Sequence, residues 1–219
     1  MNTAIGYILS YGFIGCVFIL SIIAGKMKVV GEEGARKIIH ILVCFTWVIM
    51  EKVFDNRVHT VIIPVTFVFI NLMAMKKQII PGMYREKNDT YGTVLYAISL
   101  ALMNLVAYIN DSFVLPAGMG IFALSFGDGF AAIIGRLNSK YNASIKKGKS
   151  LFGTVACFIF SLVGIWIVCF LVGSDLSILL MLLLAAISTI MELIGGKIDN
   201  LLVPLGVFMI SSFVMPWLN

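Results

Sequence analysis

The chain has 219 residues, of which 60% are hydrophobic and only 12% charged, with a formal net charge of +5. A mean hydropathy of +1.03 excludes a soluble domain of this size and identifies a polytopic membrane protein. The positive charge sits in short loops between apolar runs, which points to membrane topology and anionic head groups rather than to nucleic acid.

Taken in chain order, the apolar runs predict an all-α transmembrane bundle of about eight spans forming one domain over 1–219. They cover approximately 4–24, 38–54, 58–75, 91–109, 113–135, 151–172, 176–194 and 201–218. Most are near the ~20 residues that a helix needs to cross the hydrocarbon core. The first has no basic stretch before it and reads as a retained span rather than a cleaved signal. The last is interrupted by Pro204 and Gly206, so a seven-span arrangement is the alternative.

Lysine and arginine orient the bundle. The loops at 25–37, 76–90, 136–150 and 195–200 hold 14 of the 16, while the opposite side has only Lys52 and Arg57. The basic loops are therefore expected in the cytoplasm and both termini outside. Cys16, Cys44, Cys157 and Cys169 all lie in apolar runs without metal-ligand spacing, which argues against a zinc site or a disulfide framework.

Five segments deliver polar groups to the cytoplasmic side of these spans. Arg36, Lys37 and His40 open the second, and Tyr91-Gly92-Thr93 opens the fourth. Asp128 to Arg136 closes the fifth, Lys149-Ser150 opens the sixth, and Glu192 and Asp199 frame the turn after the seventh. Asp128 stands out, because no other charge lies between Ser112 and Gly135. A charged aspartate inside a membrane span costs about 2.5–3.5 kcal/mol on insertion scales. Something must offset that cost: a metal, a substrate, or a buried pair with a Lys or Arg from another helix.

The pattern predicts particular chemistry for these groups. Asp128, Glu192 and Asp199 offer three carboxylates on one face, enough to hold one or two Mg²⁺ ions that also take phosphate oxygens. Arg36 and Lys37 can clamp phosphate, and His40, one turn on, can accept a proton near neutral pH. Lys146-Lys147-Gly148-Lys149-Ser150 resembles the end of a P-loop. However, Ala143 stands where the first glycine is required and no preceding strand is expected. What remains is a flexible cationic loop, including Lys140, that ends at a helix start where free backbone N–H groups favour a phosphate. Ala123, Gly127, Ala131 and Gly135 recur every four residues, which fits close helix packing.

Arg36-Lys37-x-x-His40, Gly127-Asp128-Gly129-x-Ala131 with Gly135-Arg136, Lys149-Ser150-x-x-Gly153, and Glu192 followed by Asp199-Asn200-x-x-x-Pro204 occur in this order. As a set, covering about 36–205, they resemble the motifs of the polyprenol kinase family of membrane enzymes. The second and third are also similar to the signature of phosphatidate cytidylyltransferase. The resemblance implies a catalytic domain that moves the terminal phosphate of a nucleoside triphosphate, commonly CTP, to a lipid alcohol such as phytol, a polyprenol, dolichol or diacylglycerol. A divalent cation, Mg²⁺ or another, would assist.

Carried over by position, Asp128 is a metal or catalytic acid residue, with His40 the other candidate base and Lys149 beside them. Arg36, Lys37, Arg136, Lys149, Ser150, Gly127 and Gly129 form the implied nucleotide- and phosphate-binding set, and Glu192 and Asp199 complete the metal set. Phe152 stands where many members carry an acid, so no carboxylate comes from there. The implied partners are the lipid alcohol, the nucleotide and membrane lipids. Two other readings stay open: a cytidylyltransferase making a CDP-lipid, and a transporter or structural membrane protein.

Overall fold

In a computed structural model, residues 3–26, 32–77, 92–137, 141–146 and 148–217 are described, and the expectations for Tyr91, Lys140 and Lys147 lie outside them. The helices are α1 (Thr3–Lys26), α2 (Glu32–Val43), α3 (Phe45–Val53), α4 (Val58–Lys77), α5 (Gly92–Ile109), α6 (Val114–Ile134), α7 (Leu151–Val172), α8 (Ile178–Gly195) and α9 (Asp199–Val214). Among the described residues, six stretches are long and apolar enough to cross a membrane. The last, Ile178–Val214, contains both α8 and α9, which meet at a turn where Gly196 takes φ 58°.

The predicted second span is two helices rather than one. At Cys44 the backbone tightens, with Trp47 N donating to Cys44 O three residues back at 3.0 Å. The pair still runs the length of the bundle. Lys37 in α2 bonds Asp128 near the C-terminal end of α6. Arg57, just past α3, bonds Asp111 just before the start of α6.

Helix α6 is the axis of the fold. Every residue from Pro116 to Gly129 is buried, as expected of a helix that is apolar all round. Small residues let its neighbours approach backbone to backbone. A Cβ on Gly120 would stand 2.7 Å from Pro204 O in α9, and one on Gly164 of α7 would stand 2.6 Å from Phe122 O. The Ala123–Gly127–Ala131–Gly135 series faces α7: Ser161 donates to Ala123 O at 3.1 Å, and a Cβ on Gly135 would stand 3.2 Å from Gly153 Cα.

The cationic loop is more ordered than expected. Ser144–Lys146 (β1) and Lys149–Ser150 (β2) pair as a short antiparallel hairpin. Gly148 makes its turn at φ 82°, a left-handed conformation that glycine adopts without strain. The hairpin leads directly into α7 and fixes Lys149 at the helix mouth.

Candidate functional site

Asp128, Glu192 and Asp199 come from α6, α8 and the start of α9, and one oxygen from each lies within 4.8 Å of the others. Two lysines enter this cluster. Lys37 donates to Asp128 Oδ2 at 2.5 Å, so the expensive aspartate is offset in part by a buried pair from another helix. Lys149 donates to Glu192 and, at 3.2 Å, to Asp199 Oδ2. Burial disfavours the Lys149 ammonium, but the carboxylates of Glu192, Asp199 and Asp128 outweigh it and hold its pKa above the usual lysine value.

His40 lies on the same side, its Nε2 at 3.3 Å from Asp128 Oδ2. That nitrogen is buried and makes no hydrogen bond. The ring is held against Tyr96, with centroids 4.0 Å apart. The Tyr96 hydroxyl donates to His40 O at 2.9 Å and takes a hydrogen bond from Ser125 at 2.8 Å.

Farther out, Glu33 links the two arginines. It pairs with Arg36 at 2.5 Å and Arg136 at 3.6 Å. The Arg136 side chain is 55% exposed, which makes it the most accessible cation of the group. All of these charged residues line one cavity of about 740 Å³, together with Asn142, Ser150 and Asn200.

Three of the implied phosphate ligands, Gly127, Gly129 and Ser150, have close partners within the protein. A Cβ on Gly127 would collide with Ser161 Oγ in α7, and one on Gly129 with Ile41 in α2. On a helix these positions lie about 100° to either side of Asp128. The two glycines therefore let α7 and α2 close in around the carboxylate, and neither lines the cavity. Ser150 does line it, but its hydroxyl is already engaged as the N-cap of α7, accepting from Gly153 N at 3.2 Å and donating to Gly135 O at 2.9 Å.

The expected anion site at this helix start is occupied by the protein itself. Leu151 N donates to Ala143 O at 2.8 Å and Phe152 N to Asn142 Oδ1 at 3.0 Å. With Gly153 N capped, the first turn has no orphan donors to offer. At this mouth Lys149 is the charged side chain nearest the helix start, and it is engaged with Glu192 and Asp199.

Glu33, Tyr96 and Asn142 join the site without having been singled out, and Asn200, quoted within the last motif, lines the same cavity. Glu33 had a local signal, because it precedes Arg36 by three residues, the spacing of neighbours on a helix face. Tyr96 and Asn142 had none, since their roles depend on which helices meet.

The donor set fits a hard divalent cation. Within the cluster itself, the three carboxylates outnumber the two lysines that pair with them, and Glu192 Oε2 is buried with no hydrogen-bond partner among the described residues.

No family model and no solved structure matches the chain. In sequence it is similar to a phytol kinase of Synechocystis sp., 24% identical over 207 residues that span 91% of this chain and 87% of that one. The similarity thus runs through nearly the whole of both chains and supports a relationship to the polyprenol and phytol kinases.

Proposed function

We propose that this protein is a lipid-alcohol kinase. It transfers the terminal phosphate of a nucleoside triphosphate, CTP by family resemblance, to the hydroxyl of a membrane alcohol of the phytol, polyprenol or dolichol type, or of diacylglycerol. The observation that carries this reading is a single cavity with two chemistries. One end gathers Asp128, Glu192, Asp199, Lys37, Lys149, Arg36 and Arg136, and the other is lined by apolar side chains such as Ile14, Met50 and Phe67. A phosphate donor suits the first and a hydrocarbon chain the second. The lysine and arginine distribution supports a cytoplasmic position for the charged end.

Asp128, Glu192 and Asp199 would hold Mg²⁺ or a similar cation, which neutralises triphosphate charge. Lys149 holds phosphate oxygens by exchanging its carboxylate partners for them, and Arg36 and Arg136 do the same at the mouth. His40 Nε2 takes the proton of the acceptor hydroxyl, and Asp128 beside it stabilises the imidazolium. The hydroxyl oxygen then bonds the γ-phosphorus, the bond from that phosphorus to the β–γ bridging oxygen breaks, and the nucleoside diphosphate leaves. Positioning and charge neutralisation supply most of the acceleration in such a transfer.

Purified protein incubated with CTP labelled at either the α- or the γ-phosphate, and a panel of lipid alcohols, tests the reading. Label from the γ-position in the lipid is the expected product. Label from the α-position means cytidylyl transfer and overturns the kinase.

A further inference from the structure

The cavity continues well past the charged cluster. Along α2 and α3 it is lined from Arg36 to Met50. The ten residues from His40 to Met50 span about 15 Å of helix, half of a hydrocarbon core of about 30 Å. Its deep limb is walled by Ile14, Val43, Met50, Ile63, Phe67 and Leu100, all apolar.

One wall of this limb is the seam between α1 and α4, and that seam is fastened unevenly. Tyr7 OH bonds His59 Nδ1 at 2.9 Å. Tyr11 OH bonds Thr66 Oγ1 at 2.7 Å. The Thr66 hydroxyl spends its own proton on Ile63 O at 2.6 Å, which makes Tyr11 the donor. Both bonds lie at or beyond mid-depth, on the side away from the charged cluster. Toward the cluster, no hydrogen bond crosses the seam among the described residues. There Phe18 and Phe67 face the cavity, each only half-buried.

We propose that the charged-side half of the α1–α4 seam is the lateral entrance for the acceptor lipid. The hydrocarbon chain passes between Phe18 and Phe67 from the leaflet on that side, and lies along the apolar limb. This carries the hydroxyl to His40 and Asp128 without the chain leaving the apolar phase. The Tyr11–Thr66 bond is the upper lip of the opening. The occupant follows from continuity: an apolar limb that ends in a phosphate-handling site suits a molecule with one apolar chain end and one hydroxyl end. This inference rests on the lipid-alcohol reading above.

The test uses full-length protein in phosphatidylcholine vesicles without nucleotide, and a long-chain primary alcohol carrying a diazirine at mid-chain. After illumination, peptide mapping is expected to find adducts on the Ile14–Phe18 and Ile63–Phe67 segments, suppressed by excess unlabelled alcohol. Adducts confined to outward-facing residues such as Ile19 and Phe69, and indifferent to competitor, overturn the entrance. Seam labelling with no phosphate transfer from any nucleotide leaves the entrance standing and sinks the kinase instead. As a second measurement, Ala97→Phe narrows the limb, because Ala97 lines the cavity from α5. It is expected to raise KM for a long-chain alcohol by about tenfold while leaving a short-chain one unchanged. Equal effects on both also overturn the proposal.

Discussion

Replacing Lys37 with methionine keeps most of the side-chain volume but strips the ammonium from Asp128. The pair is 2.5 Å apart, with side chains only 10% and 11% exposed. At that separation and an effective dielectric of about 20, the Coulomb attraction is about 7 kcal/mol. Proton uptake and water entry recover part of the loss, so the expected cost is about 3–5 kcal/mol, the range found when one partner of a buried pair is removed. For a chain of this length that lowers Tm by roughly 6–20 °C. Cys44, Cys157 and Cys169 are buried, so a thiol-reactive fluorophore in detergent reports the transition. Asp128→Asn and the double variant complete a thermodynamic cycle. The double variant is expected to be more stable than the two single losses predict by about 1–3 kcal/mol. A Lys37→Met protein within about 2 °C of the parent, or strictly additive losses, would refute the claim that this ion pair is desolvated.

Three further outcomes are expected. Gly127→Val should lower Tm through a loss of about 1–3 kcal/mol, because its side chain meets Ser161 and Cys157; nucleotide KM in the folded fraction should not change, whereas a phosphate-binding glycine would show the opposite. Mg²⁺ titration should raise Tm, by about 2.7 kcal/mol of stabilisation at a hundred times its Kd, and Glu192→Gln should abolish the rise. The Lys149 pKa lies above its ordinary 10.5, so the stability it contributes is complete below that value and is lost only as pH climbs through the folded one. Transfer by wild type and by Lys149→Arg should therefore show the same pH profile from neutrality to about pH 10, and a wild-type activity loss within that range, absent in the Lys149→Arg variant, would contradict the assignment.

Much of this arrangement was legible in the sequence because membrane spans announce themselves by length and hydropathy. Asp128 announces itself as a charge where no other charge lies nearby. The convergence of Asp128, Glu192, Asp199 and Lys149 followed from topology, since all sit at the same end of their spans. The break at Cys44 was hidden, because nothing in an unbroken apolar run marks one tightened turn. The packing of Gly127 against α7 was legible in the four-residue spacing of small residues, whereas the closeness of Gly129 to α2 and the capping bonds of Ser150 were not. A motif gives residue order, but whether a glycine faces a ligand or a neighbouring helix depends on the angle at which helices cross. Likewise the first turn of α7 reads as an open anion site until Ala143 and Asn142 fold back onto it. Glu33 and Tyr96 entered only through contacts across helices.

The central claim is that Asp128 lies at the centre of a phosphate-transfer site, and one comparison tests it most directly. Wild type and Asp128→Asn, each shown to be folded by its thermal transition, are given γ-labelled CTP, Mg²⁺ and a membrane alcohol in vesicles. Labelled lipid phosphate should form with wild type and fall at least about a hundredfold in the variant. A folded Asp128→Asn protein that transfers label at the wild-type rate would contradict the account.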